Sequence, residues 1–278
     1  MDEYSNALNE FNGSNDEFNH SSKTPLNLKK DNKKLKKMVQ LLCSSAVAVT
    51  MIATNLGNES NRFYLYGNAA SLKNNQFRLA QAKYLNAGAL VSDDAFSLKD
   101  GLNIEFDFWM GTDPNNPCNM NADGISISFM EEAFDIGDNP QNPIIERGGS
   151  LYYHGVFGAE MDLYPNGGDP REDHVAILSD DVSKHFTYKE YEEGLDENVH
   201  HLRLECNNTS IYIYLDNKLA CEYHELPVTK NKYYLMISSS TGSAWNLSLI
   251  KNLKINNNSI QILNPEHNKD ADVYQIKW

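Results

Sequence analysis

Between Asn61 and Ile260 the chain is a succession of short β-prone runs broken by turn residues, with no amphipathic helix of useful length. Phe63-Tyr-Leu-Tyr66, Gln76-Phe-Arg-Leu79, Leu102-Asn-Ile-Glu-Phe-Asp-Phe-Trp109 and Gly124-Ile-Ser-Ile-Ser-Phe129 alternate or run apolar. So do His201-Leu-Arg-Leu-Glu205, Ile211-Tyr-Ile-Tyr-Leu215, Tyr233-Tyr-Leu-Met-Ile237 and Leu247-Ser-Leu-Ile250. Asn207-Asn208 and Asp216-Asn217 supply tight-turn chemistry between successive runs. Many short strands without helices predict an all-β fold of two packed sheets. Cys206 and Cys221 fall on the first and third strands of a meander. Two strand spacings, roughly 9–10 Å, exceed disulfide reach, so free thiols are expected.

The N-terminal part has a different character. Residues 1–37 hold seven lysines and six acids, a net of +1, and lack a periodic apolar pattern. They read as a disordered tail. Six lysines crowd Lys29 to Lys37, just before an uncharged run of 19 residues, Met38 to Leu56. As a helix that run would be about 28 Å long, enough for a bilayer. Basic residues before it and acidic composition after it predict a cytoplasmic N-terminus and a main domain outside the cell. The same pattern also reads as a cleaved signal peptide with a long basic lead, which would release the domain. A buried core helix is a third reading, without a helical partner. The organisation expected is a tail over 1–37, an anchor or signal over 38–56, one β domain over 60–260 and a polar tail over 261–278.

The formal charge of −14 argues against nucleic acid and anionic lipid as partners of the bulk domain, and fits cation binding or plain solubility. The acids concentrate in Glu160-Met-Asp-Leu-Tyr-Pro-Asn-Gly-Gly-Asp-Pro-Arg-Glu-Asp-His174. On a strand Glu160, Asp162 and Tyr164 point the same way, and Asp169 joins them after the turn at Asn166, Gly167 and Gly168. Carboxylates so crowded favour full solvation or a hard cation. Asp and Asn oxygens with a backbone carbonyl suit Ca²⁺, and the imidazole of His174 suits a neighbouring transition ion. On the residues alone, an acidic surface strand and a two-ion site both stay open.

The stretch resembles the metal-binding segment of the L-type (legume-lectin-like) lectins, which takes the form E-x-D-x-[FY]-x-N…D-P-x-x-x-H. Phe63-Tyr-Leu-Tyr-Gly-Asn-Ala-Ala70 is similar to the family's opening strand, and Ala122-Asp-Gly-Ile-Ser-Ile-Ser-Phe129 to its A-D-G loop and strand. Gly148-Gly-Ser-Leu151 is similar to its glycine loop, and Leu215-Asp-Asn-Lys-Leu219 and Ile237-Ser-Ser-Ser-Thr-Gly242 to later strands. The resemblance, to the bacterial type of the family, runs over about residues 60–256 in family order. It implies a concanavalin-like jelly-roll sandwich. It also implies that Asp162 and Asp169 bridge Ca²⁺ and a second ion, Mn²⁺ or another divalent transition ion. Asn166 and the Tyr164 carbonyl would complete the Ca²⁺ site, and Glu160 and His174 the other. A cis peptide between Ala122 and Asp123 is implied as well.

The ligand implied is a glycan. Asp123 would accept two sugar hydroxyls, Asn166 and a glycine-loop N–H (Gly149, or Gly148) would donate, and the Tyr164 ring would stack on the sugar. Taken singly, Asp123 reads as a turn residue and Tyr164 as a sandwich aromatic. This sequence departs from many plant members in its short turn at Gly167-Gly168, in Ala176 where a glycine is common, and in a short segment after Gly242. Trp245 is expected in the core, while Tyr152, Tyr153 and His154 are candidates for the pocket rim. Two rivals share the architecture. A glycosidase needs a second carboxyl near the first, but Tyr164-Pro165 stand where related hydrolases carry a glutamate. The other rival is a metal-stabilised adhesion module, against which Asp123 and Asn166 speak together, since a bare sandwich needs neither.

Overall fold

The computed structural model describes residues 60–118, 120–134, 153–269 and 276–278. The expected anchor over 38–56, the tail before it, and the glycine-loop residues Gly148 and Gly149 lie outside them. Among the described residues there is no helix, and none that is long and apolar enough to cross a membrane.

Sixteen strands follow one another along the described residues: β1 (Asn61–Gly67), β2 (Ala70–Ser71), β3 (Gln76–Ala80), β4 (Ala87–Ser92), β5 (Phe96–Ser97), β6 (Leu102–Gly111), β7 (Gly124–Met130) and β8 (Phe157–Asp162) in the first half. The second half has β9 (His174–Leu178), β10 (His185–Glu190), β11 (Val199–Cys206), β12 (Ser210–Leu215), β13 (Lys218–His224), β14 (Lys232–Ser240), β15 (Leu247–Ile255) and β16 (Asn258–Ile262). One layer runs β10-β9-β8-β7-β14-β4-β1, and the other runs β15-β6-β11-β12-β13 with β3 on the free edge of β15. β16 joins the layers, pairing parallel with β1 and antiparallel with β15.

Alternation explains the packing. Ile125, Ile127 and Phe129 of β7, Phe157, Ala159 and Met161 of β8, and Val175 and Ile177 of β9 are fully buried in one apolar cluster. Ile104, Phe106 and Phe108 of β6, Leu202 and Leu204 of β11, and Ile211 and Ile213 of β12 meet them there from the other layer. Successive side chains of a strand point to opposite faces, so the intervening Ser126, Glu160, Asp162 and His174 lie on the far side of the first layer. The open ends of the two layers close on each other: Phe186 of β10 stacks on Tyr223 of β13, with ring centroids 4.2 Å apart. Beside them the Cys221 thiol donates to the Val175 carbonyl at 3.2 Å.

The hairpin at Asp216-Asn217 is as expected, with φ of 50° and 64° at the two turn residues. Cys206 and Cys221 are free and buried in β11 and β13. Several strands were not read from the sequence, among them β4, β10 and β16. β4 is Ala-Gly-Ala-Leu-Val-Ser, buried at every position, so it has small residues in place of alternation. β10 is short and half exposed. β16 is polar, and it carries the sheet to Ile262, past the expected boundary at 260. Beyond it, Asn264 clamps Leu65 of β1, accepting from its N–H and donating to its carbonyl, both at 2.8 Å. His267 lies 2.9 Å from the Gly67 carbonyl through Nε2, and Asn268 donates to the carbonyls of Gly67 and Ala69.

Candidate metal and ligand site

The site residues gather where β7, β8, β9 and β10 lie side by side. Gly124 of β7 is in register with Asp162 of β8, which is in register with His174 of β9. The close approach of β7 to β8 requires glycine at 124, because a Cβ there would sit 2.2 Å from the Met161 carbonyl oxygen. Asp123 immediately precedes that contact. Its N–H donates to the Ser240 carbonyl of β14 at 3.0 Å, and its carbonyl accepts from Leu163 at 2.8 Å. The Ala122–Asp123 peptide is cis.

β8 ends at Asp162, so Tyr164 is not on the strand as its spacing predicts. Asp162 itself causes the departure: one carboxylate oxygen accepts the Tyr164 N–H at 2.6 Å, an Asx-type turn that lifts the chain out of the sheet. The loop then closes on itself. The Asn166 N–H donates to Asp169 at 2.8 Å, its side-chain amide donates to the Tyr164 carbonyl at 3.3 Å, and Gly168 takes φ of 109°. That φ suits glycine and few other residues. The Asn166 side chain also lies near enough to the Asp123 carboxylate to favour its ionised form, which sets the loop beside β7.

Electrostatics mark the cluster. Asp123 is 2% exposed, Glu160 0% and Asp162 1%, and one buried oxygen each of Asp123 and Glu160 has no hydrogen-bond partner. Burial pushes the Asp123 carboxyl up to about 7, against the hydrogen bond from Asn166 and with Asp169 adding to the rise. Burial and then the charge of Glu160 raise Asp162 well above the carboxylate range, and the same two causes raise Asp169. Orphaned, mutually repelling carboxylate oxygens are costly in a dry site. They fit a divalent cation, whose charge reverses that balance.

A residue that carried no sequence signal completes the group. Glu160 Oε1 lies 3.1 Å from His174 Nε2 and 2.7 Å from His185 Nε2. One ligand atom from each of the three lies within 4.8 Å of the others. His185 stands eleven residues after His174, outside any motif spacing. It is brought in by the β9–β10 pairing, in which it faces Leu178, and the register shifts between His185 and Thr187. Such a bulge re-aims a side chain. The hydrogen bond to Glu160 raises the His185 imidazole above its ordinary value.

The remaining candidates fall elsewhere. Gly149 lies outside the described residues, as does Tyr152. Tyr153 covers Gly158 of β8, and its hydroxyl donates to the Ser179 carbonyl at 2.7 Å. Burial, and then the charges of Glu160 and Asp180, push that hydroxyl well above the usual phenol value. His154 donates its backbone N–H to Ser128. Trp245 packs beside Ala82, Trp109, Leu247 and Leu249 and donates its indole N–H to the Asn116 carbonyl at 3.1 Å.

No protein-family model matches the chain. Solved structures do. The exoplasmic/lumenal domain of VIP36, in its Ca²⁺/Man3GlcNAc-bound form, aligns over 69% of this chain and 84% of its own at 17% identity, with a TM-score of 0.53. The winged bean acidic lectin complexed with methyl-α-D-galactose aligns over 71% and 93% at 13% identity, with a TM-score of 0.54. The carbohydrate recognition domain of Emp46p, in a metal-free form, aligns over 71% and 89% at 18% identity, with a TM-score of 0.53. The sandwich of this chain is therefore the fold of the legume-type lectins.

Proposed function

We propose that this protein is a metal-dependent carbohydrate-binding lectin. Ca²⁺ would be held by Asp162, Asp169, Asn166 and the Tyr164 carbonyl, and a second, transition ion by Glu160, Asp162, Asp169 and His174. When bound, the ions supply positive charge that keeps these carboxylates ionised and the loop from Asp162 to Asp169 closed. Asp123 then accepts sugar hydroxyls, Asn166 donates to one of them, the Tyr164 ring packs on the apolar face of the sugar and the Gly149 N–H adds a donor.

One observation carries this reading. Asp123 is buried beside Asn166 of the loop after β8, and it has an oxygen without a partner. A bare sandwich has no use for that arrangement, whereas a polyol does. Neighbours of the same fold support it, among them structures described with galactose or a mannose-containing glycan. Glycoside hydrolysis lacks its second carboxyl just beyond β8, where Leu163, Tyr164 and Pro165 follow Asp162. We place the domain outside the cell, held by residues 38–56 or released after their cleavage.

A glycan array run with and without chelator tests the proposal. Chelator-sensitive binding is expected, lost in Asp123→Ala while metal still raises the melting temperature. Normal glycan binding by that variant would show the assigned site to be wrong. Turnover of an oligosaccharide would favour the hydrolase. Metal-dependent melting without any glycan hit would leave an adhesion module of the same fold.

A further inference from the structure

His185 has no part in the ligand set proposed above, yet it is closer to Glu160 than His174 is. Its side chain is 7% exposed and lies on the same face as Glu160 and His174, and the two imidazole rings meet edge to face with centroids 5.5 Å apart. His174 is held by its other nitrogen, with Nδ1 3.2 Å from the Glu172 carbonyl. A carbonyl only accepts, so Nδ1 carries a proton and Nε2 is the ring nitrogen turned toward Glu160 Oε1. Nε2 and Glu160 Oε1, 3.1 Å apart, thus present two potential ligand atoms to one space. The orientation of one imidazole nitrogen by a backbone carbonyl is also how metal-bound histidines are commonly held. Independently, Glu160 Oε2 is fully buried and unpartnered. Asp169 Oδ1, 3.9 Å from His185 Nε2, stands at the edge of the same space.

We propose that His185 is a direct ligand of the second ion, and that the pair of imidazoles makes this a zinc-class site and not a manganese one. The proposal rests on the lectin reading only for the existence of a second ion beside Ca²⁺. Its chemistry follows from ligand softness. Carboxylate and water suit Mn²⁺, as they suit Ca²⁺ and Mg²⁺, while each added imidazole shifts preference toward Zn²⁺, Co²⁺ and Ni²⁺. One imidazole among carboxylates leaves Mn²⁺ competitive. Two imidazoles with Glu160 and a flanking carboxylate form the mixed nitrogen–oxygen set that Zn²⁺ takes with four ligands. The bulge at His185 in β10 gives the extra ligand a structural cause.

Nitrogen–oxygen sites in general rank Zn²⁺ above Mn²⁺, so selectivity by itself decides nothing; its dependence on His185 does. The test uses the full chain, stripped with chelator and reloaded with Ca²⁺. Zn²⁺ and Mn²⁺ are then titrated separately against a fluorescent chelator for wild type, His185→Ala and His185→Gln. Removing His185 is expected to weaken Zn²⁺ by 10-fold or more and Mn²⁺ by less than about 3-fold, as loss of a nitrogen ligand predicts. In Co²⁺-loaded wild type, proton NMR is expected to resolve two paramagnetically shifted imidazole N–H signals, and one in either variant. Equal weakening of Zn²⁺ and Mn²⁺, or an unchanged Co²⁺ spectrum, would overturn the proposal by making His185 a packing residue. If glycan binding stays chelator-sensitive in that case, the lectin reading stands without this one. If Zn²⁺ binds through His185 and no glycan binds, this inference stands and the lectin reading falls.

Discussion

At the scale of single residues, the site is built from side chains whose positions depend on what their neighbours leave out. Asp123 reaches the metal loop because Gly124 lets β7 lie against β8 with no Cβ between them. Gly124→Ala should therefore cost about 1–3 kcal/mol or more in denaturant unfolding, as overpacking of a filled interior does. It should also weaken Ca²⁺ binding, which calorimetry would read, because the added Cβ meets β8 backbone that cannot turn aside. The raised carboxyls give a second prediction, for protein stripped of metal. With Asp123 near 7 and Asp162 and Asp169 also raised, the folded state holds more protons than the unfolded chain between the ordinary carboxylate range and about pH 7. Stability of the stripped protein should thus fall as pH rises from 5 to 8, and saturating Ca²⁺ should flatten or reverse that slope. Melting temperatures across that range, with and without Ca²⁺, check it. The motif residues were legible in sequence because each is fixed by local spacing within one loop or strand. His185 was not, since only a pairing between two strands and a bulge bring it in.

At the scale of elements, strands with alternating or aromatic composition were readable and those with neither were not. β6, β11 and β12 alternate between apolar and polar, and one face of each is buried. β4 is buried on both faces and made of small residues, so no period of two survives in it. The turn at Asp162 shows the opposite limit. The spacing of Glu160, Asp162 and Tyr164 predicts three side chains on one strand face, but a carboxylate accepting a backbone N–H two residues on ends the strand first. The meander β11–β12–β13 yields a test of burial. The Cys206 and Cys221 thiols face the core and burial pushes both up to about 12, while Cys118 is only partly covered. Under native conditions at pH 8 an alkylating reagent should modify Cys118 quickly and spare the other two. Mass spectrometry of the digested protein would locate the label, and rapid labelling of Cys206 would contradict the packing of β11.

For the whole domain, what sequence could not reveal is how its end is fastened. Residues 261–278 read as a polar tail, yet β16 runs into them and bridges the layers, and Asn264 continues the edge of β1 where β16 stops. A side-chain amide there imitates a neighbouring strand, satisfying both backbone groups of Leu65. Asn264→Ala leaves a backbone N–H and carbonyl without that partner. It should destabilise the domain by about 1–3 kcal/mol in chemical unfolding, the cost of stranding such groups. Asn264→Asp should recover part of the loss, since it still accepts from the Leu65 N–H.

The registers also set a polarity. Gly67 pairs with Gly88, Ala87 with Ser240, Ser240 with Gly124 and Gly124 with Asp162, so Asp123 stands at the end of the first layer where β1 finishes. Asn61 begins β1 at the other end, six residues away, or roughly 20 Å along the strand. The chain thus runs through β1 from the pole opposite Asp123 to the pole that carries it. A surface linkage made at Ser60 would therefore leave the Asp123 end of the layer turned away from the support.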